Sequence, residues 1–397
     1  MPVPAEFTRE AVKAHSPETA YLFAGFTRNH LLEESMFQNN PWLRPPADSE
    51  TLERGSGRYW DTTVARKHAY WQSISLPEPT KDIGRMRADF VERGYCLIED
   101  GMSQEQCALM GKRLWEQAAG ERLAGIAQGS PYGQYVNTLV NKGDCFARAI
   151  EQDPDVVQAG PVIEQLIDEI VGTGWICHSF LANGADPGGR PQAIHIDQGG
   201  LLPWLPREAP MLVNTMYIFE DIDDHNGGTV MIPASHSVLA NTGTGGTVGP
   251  LPPSVTLEAK AGTVMLFDGR LLHGTGVNRS QRQRFVATMG AIKPWMRQQE
   301  NWVMSVKPEI LAWASPKLLH RMGFQAVFNG GTVEGFGINY ATGAPEDPMG
   351  AILAFRQAQD AGAYRRVGEL KPSSSRSELD LAYTLRDVMA GKKEKQR

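Results

Sequence analysis

The hydrophobic rhythm of the chain changes twice along its length. A helical run over residues 84–93 stops at Gly94, and a short apolar strand, Tyr95-Cys96-Leu97-Ile98, follows. Ser103-Gln104-Glu105-Gln106 then reads as a capping box that opens a helix to about residue 118, with Leu109, Met110, Leu114 and Trp115 at helical spacing. Val162, Ile163, Leu166, Ile167 and Ile170 mark a second helix over 160–171. Next come β-rich runs at 175–183, 192–197, 211–219, 228–233, 256–258, 263–268 and 283–292, separated by Gly, Pro and Asn clusters. No helices alternate with these strands, so the rhythm is that of a barrel or sandwich and disfavours a doubly wound parallel sheet. Helical patterns return at 307–322, 348–360 and 377–390, the last with Leu381, Leu385, Val388 and Met389 on one face.

Composition narrows the class. A chain of 397 residues with 41% hydrophobic side chains can bury a large core without staples. Four cysteines without a C-x-x-C pair are neither a disulfide framework nor a zinc knuckle. Lys and Arg number 39 against 45 Asp and Glu, a formal charge of −6, and the only dense basic tract is terminal, which argues against nucleic acid as a partner. The start, MPVPAEFTREAVKAHS, has no apolar h-region, and no apolar run reaches the roughly 18 residues of a membrane span. A cytoplasmic protein is expected, with no membrane partner.

Chemistry concentrates in two segments. In Ala193-Ile194-His195-Ile196-Asp197-Gln198 the strand period of two puts His195 and Asp197 on one face, where both can reach one ion. The run Val264-Met265-Leu266-Phe267-Asp268 leads into a Gly-rich turn with His273 near its end. His195, Asp197 and His273 together would make a two-histidine, one-carboxylate triad that leaves three adjacent positions open on Fe(II). Eleven residues beyond His273, Arg284 could grip the far carboxylate of a dicarboxylic co-substrate. Arg282, two residues away, competes for that role. His225, in Asp223-Asp224-His225-Asn226-Gly227-Gly228, and His236, after Pro233-Ala234-Ser235, read as turn-stabilising residues. The Gly-rich loop 241–249 lacks a Gly-Lys-Ser/Thr ending and suggests a flap, not a phosphate cradle. Neither a Gly-x-Ser-x-Gly nor a His-Glu-x-x-His motif is present.

Four ordered blocks carry a family resemblance: the helix–Gly–strand opening at 85–98, Gln192 to Gly199 around the His-x-Asp, Asp223 to His236, and His273 to Arg284. In these the chain resembles the phytanoyl-CoA dioxygenase (PhyH-like) family of Fe(II)/2-oxoglutarate-dependent oxygenases. It departs in Pro233-Ala234-Ser235-His236, where Pro-Gly-Ser-His is usual. The resemblance implies a mainly β fold, a double-stranded β-helix or jelly roll with helical extensions at both ends. It implies Fe(II) on His195, Asp197 and His273, with O2 and 2-oxoglutarate as co-substrates, the latter released as succinate and CO2. Arg284 and Thr275 would hold 2-oxoglutarate. Asn183 and Gln192 are further candidates for that role, although a buried Asn satisfying strand-end backbone reads nearly as well. Retention of Asp197 favours oxygenation over halogenation.

Leu201, Leu202, Trp204 and Met216 near the expected metal are apolar and suggest a hydrophobic small-molecule substrate, unless they simply fill the core. His178 could line the pocket or be a satisfied interior histidine. Hydroxylation of an unactivated C–H bond is the expected reaction; desaturation, epoxidation and ring rearrangement are alternatives at the same iron. A non-catalytic small-molecule-binding barrel is the alternative from another class. The expected organisation is an N-terminal arm (1–84), a catalytic barrel (85–295) and a C-terminal helical extension (296–397). Six of nine Trp lie outside 85–294, which suits arms that wall the pocket or mediate a homo-oligomer.

Overall fold

A computed structural model describes residues 74–130, 132–189, 191–192, 195–198, 209–240 and 254–324. The expected helices at 348–360 and 377–390, the loop at 241–249 and most of the N-terminal arm lie outside these residues. The chain divides into two compact units at Lys293–Pro294.

The first unit begins with α1 (Ile83–Arg93), capped by the Asp82 side chain and ended by Gly94 in the left-handed conformation (φ 81°). A Cβ at Gly94 would stand 2.5 Å from His236 Nδ1, so only glycine lets the chain turn there into β1 (Tyr95–Ile98). The capping box at Ser103 is formed on both sides and starts α2 (Gln104–Leu123). Ser103→Ala should cost about 1 kcal/mol, measurable by urea unfolding.

β2 (Gln128–Ser130) and β3 (Gly133–Val136) form a hairpin, followed by a 3-10 turn at Leu139–Asn141, α3 (Asp144–Ile150) and α4 (Gly160–Val171). The remaining strands are β4 (Ile176–Ala185), β5 (Leu212–Ile218), β6 (Thr229–Met231), β7 (Val255–Thr256), β8 (Val264–Asp268), β9 (His273–Thr275) and β10 (Arg284–Ile292), with α5 (Ser235–Ala240) after β6.

These strands make two antiparallel sheets, ordered β1-β8-β5-β10-β4-β3-β2 and β7-β6-β9. His195 adds an isolated antiparallel bridge to His273 at the edge of the small sheet. From β4 onward the chain alternates between the sheets: β4 in the large one, the His195 bridge in the small, β5 large, β6 and β7 small, β8 large, β9 small, β10 large. That alternation is the winding of a jelly roll, the double-stranded β-helix. The core between the sheets combines Leu97, Met216, Ile218, Met265, Phe267 and Val286 of the large sheet with Met231 and Val255 of the small one. On the other face of the large sheet, Phe180 meets Phe146 of α3 and Tyr217, and Trp115 of α2 meets Phe285 edge-on. Strands with both faces covered are buried throughout, as β5 and β8 are, which explains their near-continuous apolar runs.

Three expectations require correction. The strand expected over 192–197 does not reach Asp197: among the described residues of this stretch His195 alone forms a β-bridge, and Asp197 already starts a helical turn. The Gln198 amide group holds that turn: its backbone N–H reaches the Gly269 carbonyl, and its side chain bonds Ala209 and Met211. The strand expected at 256–258 is the short β7. The helix expected over 307–322, in the second unit, is two: α7 (Pro308–Trp313) and α8 (Pro316–Arg321), after a short α6 (Trp302–Ser305). Pro316 cannot extend the preceding helix, and Ser315 caps the new one by accepting from the Leu318 N–H. Among the described residues no helix is long and apolar enough to cross a membrane.

Candidate active site

The site is built where the small sheet loses its edge. His195 and His273 exchange both backbone hydrogen bonds, each at 3.0 Å, which sets them directly opposite one another with ring centroids 4.6 Å apart. The turn that starts at Asp197 brings its carboxylate between them: Oδ1 lies 3.3 Å from His195 Nε2, and Oδ2 lies 3.5 Å from His273 Nε2. One ligand atom from each of the three residues falls within 4.8 Å of the others.

The surroundings suit a metal. His273 Nδ1 lies 3.0 Å from the Leu271 carbonyl oxygen, which can only accept, so Nδ1 carries the proton and Nε2 keeps its lone pair. Burial pushes the His273 pKa down, against the pull of Asp197. Burial also opposes the charge on Asp197, but His273, His195 and the Asn214 amide outweigh it and hold the carboxyl well below the usual carboxylate range. Two imidazoles and one carboxylate, with about 31% of the Asp197 side chain open, are donors that fit a divalent transition metal with room for further ligands.

A second polar group lies along the mouth of the jelly roll. The Thr275 hydroxyl donates to Gln192 Oε1 (3.1 Å) and accepts from Asn183 Nδ2 (2.9 Å). Gln192 Oε1 also accepts from the Thr275 N–H, and Gln192 Nε2 donates to the Tyr132 hydroxyl. Asn183 Oδ1 is buried without a hydrogen-bond partner. Asn183, Gln192 and Thr275 are therefore gathered into one network. Asn183 faces Val286 across the β4–β10 ladder, two residues from Arg284, so Arg284 and Asn183 share the inner face.

Arg284 is only 2% exposed. Its guanidinium donates from Nη2 to the Gly227 carbonyl and from Nε to the Asn226 carbonyl at 3.4 Å, and among the described residues no carboxylate lies within ion-pair distance. Burial pushes its pKa down to about 10, with Glu220 opposing. A buried guanidinium without a paired anion is costly unless a ligand supplies one. Arg282, by contrast, has an 81% exposed side chain and meets Glu220 at 3.4 Å.

Other sequence candidates fall elsewhere. Met216 is packed in the core between the sheets, where it accepts a hydrogen bond from the Thr229 hydroxyl. His178 is buried, and burial lowers its pKa to about 4, with Asp197 pulling the other way. The His225 N–H donates to Asp223 Oδ1, a turn contact, whereas His236 does not serve its own turn: its Nε2 lies 3.1 Å from the carbonyl of Val91 in α1. Leu201, Leu202 and Trp204 lie outside the described residues.

Sequence reasoning missed three groups. Tyr132 completes the Gln192 network. Tyr135 sits opposite Asn183 on the inner face, where burial and the nearby Asp197 charge push its phenol up to about 12. Asn214 donates to Asp197 Oδ2 at 2.7 Å. The available signal for Asn214 was a lone amide inside the apolar run Leu212-Val213-Asn214-Thr215-Met216.

A jelly roll that gathers two histidines and a carboxylate has the donor set of a non-haem metal centre. Residues 90–286, about half of the chain, match the profile of the family described as Phytanoyl-CoA dioxygenase (PhyH). The chain is thus an Fe(II)/2-oxoglutarate-dependent oxygenase with O2 as co-substrate. Among curated proteins it is similar to Dioxygenase af480 of Aspergillus fumigatus, 27% identical over 262 residues that cover 61% of this chain and 80% of the relative. It is also similar to Dioxygenase aneA of Aspergillus aculeatus, 25% identical over 249 residues that cover 58% and 79%. Among solved structures, that of EctD from S. alaskensis with bound Fe aligns at a TM-score of 0.44 with 20% identity, covering 57% of this chain and 85% of that one. The fold assignment rests on the strand order, not on this likeness.

Proposed function

We propose that His195, Asp197 and His273 hold Fe(II), that Arg284 and Thr275 hold the far carboxylate of 2-oxoglutarate, and that the enzyme hydroxylates a C–H bond of a largely apolar small molecule in the cytoplasm. The carrying observation is the gathering of the three ligand atoms within 4.8 Å. Bound there, the iron supplies activation of O2 coupled to oxidation of 2-oxoglutarate to succinate and CO2.

The chain's own residues orient and exclude. His273 is fixed in one tautomer by the Leu271 carbonyl, so its metal-facing nitrogen needs no proton transfer before it can bind. The Asn226 and Gly227 carbonyls occupy Nε and Nη2 of Arg284, which leaves Nη1 free to meet a carboxylate. Thr275 can turn its hydroxyl from Gln192 to the same anion, while Gln192 stays tied to the Thr275 N–H. Phe267 of the apolar core packs edge-on against His273, with ring centroids 4.8 Å apart, so the site rests on apolar side chains.

Gly227 has a φ of +81°, and a Cβ there would lie 3.0 Å from the Gly276 carbonyl oxygen and 3.1 Å from Asn278 Cβ. Gly227→Ala should therefore displace the carbonyls that orient Arg284 and raise the KM for 2-oxoglutarate roughly tenfold, about 1.4 kcal/mol, while leaving Fe(II) affinity unchanged. Steady-state kinetics and metal titration separate the two.

Substrate class is tested by 2-oxoglutarate consumption in the presence of compound panels. Stimulation by neutral apolar molecules is expected. Stimulation by acyl-CoA thioesters or highly charged molecules alone would overturn the assignment of an apolar substrate.

A further inference from the structure

Beneath the three candidate ligands, two inward side chains from neighbouring strands form a floor. Asn214 of β5 pairs with Phe267 of β8 on one side and with Gly290 of β10 on the other. Each of the first two touches a different ligand: Asn214 Nδ2 donates to Asp197 Oδ2 at 2.7 Å, and the Phe267 ring meets His273 edge-on with centroids 4.8 Å apart. Gly290 provides the space. A Cβ at that position would stand 3.4 Å from Asn214 Oδ1 and 3.2 Å from His178 Cβ.

Asn214 is 4% exposed on a strand whose seven residues are all buried. A primary amide is expensive there unless it is bonded, and Asp197 is the group that receives its N–H. The carboxylate is itself on a turn outside the sheets, so it lacks a strand ladder to fix its direction. The rigid large sheet supplies that direction through Asn214.

We propose that Asn214 is a positioning residue for the metal: by occupying Oδ2 it fixes the plane of the Asp197 carboxylate and presents Oδ1 as a one-point ligand beside the two imidazoles. The proposal rests on the reading of His195, Asp197 and His273 as ligands. A hydrogen-bond partner of a metal ligand commonly governs affinity by about 10- to 100-fold.

The test is anaerobic titration of the full-length chain with Fe(II), and with Co(II) for its ligand-field spectrum, in wild type, Asn214→Leu, Asn214→Ala and Asp197→Ala. Thermal unfolding of each metal-free protein runs alongside. Asn214→Leu keeps the volume and removes the donor, and Asn214→Ala serves if leucine does not fold. The expected result is metal binding weakened about 10- to 100-fold with an altered Co(II) spectrum, while the metal-free protein melts close to wild type. Wild-type metal affinity and spectrum in a folded Asn214 variant, with binding lost in Asp197→Ala, would overturn the positioning role and leave the ligand set standing. Wild-type affinity in Asp197→Ala would overturn the ligand set itself.

Discussion

Asp197→Ala is expected to reduce Fe(II)-dependent formation of succinate from 2-oxoglutarate to background. The substitution removes the only anionic donor of the cluster and leaves two imidazoles facing each other at 4.6 Å between ring centroids. A divalent ion then loses both a ligand and the charge that offsets its own. The loss should lie in metal binding and not in folding. Asp197 lies on a turn with about 31% of its side chain open, and burial works against its charge even before the histidines and Asn214 compensate. Without metal, the variant should still fold, with a loss of about 1–3 kcal/mol because the buried Asn214 amide loses its acceptor. Succinate assay together with calorimetry reads both; full activity in the variant would remove Asp197 from the ligand set.

Arg284→Ala is expected to raise the KM for 2-oxoglutarate about 100-fold while metal affinity stays near wild type. A buried guanidinium that meets a carboxylate makes charge-assisted hydrogen bonds, and losing about 3 kcal/mol of them corresponds to about two decades of affinity. The same change also leaves the Asn226 and Gly227 carbonyls without their donor, so some stability is lost as well. Arg284→Lys separates the effects. It keeps the charge but not the planar fork, and should raise KM by about tenfold. Arg282→Ala should leave KM unchanged, because its side chain is 81% exposed and meets Glu220 at the surface. The opposite pattern, with Arg282 controlling KM, would move the anion clamp one pleat along the chain.

The sequence made some of this legible and not the rest, for physical reasons. The capping box at Ser103, the stop at Gly94 and the stripe of α4 are local signals, decided by residues within one or two turns of each other, and all three are present in the structure. The β-rich runs at 175–183, 211–219, 263–268 and 283–292 were visible because they are strands of the large sheet, whose two covered faces favour apolar side chains at nearly every position. The hairpin β2–β3 was not visible: Gln128-Gly129-Ser130 and Gly133-Gln134-Tyr135-Val136 show no alternation, and the pairing with β4 that stabilises β3 is remote in sequence. Tyr132 and Tyr135 were missed with it.

His195, Asp197 and His273 do converge, but not by the strand periodicity that suggested it. Asp197 has left the strand, and its approach to the histidines depends on Gln198 anchoring to Gly269, Ala209 and Met211. Asn214 escaped notice because its partner is 17 residues away and its strand reads as plain core. Long-range polar pairs of this kind leave little trace in a single sequence. Only the oddity of an amide among apolar neighbours marks them.

The most direct test of an Fe(II)/2-oxoglutarate site at these residues is the visible absorption spectrum of the full-length chain under anaerobic conditions, with Fe(II) and 2-oxoglutarate added singly and together. A 2-oxo acid chelated to Fe(II) produces a metal-to-ligand charge-transfer band. The expected result is a band that requires both additions, disappears in Asp197→Ala, and in Arg284→Ala needs much more 2-oxoglutarate to develop. A folded wild-type chain that gives no band at saturating Fe(II) and 2-oxoglutarate, or a band that survives in Asp197→Ala, would contradict the assignment.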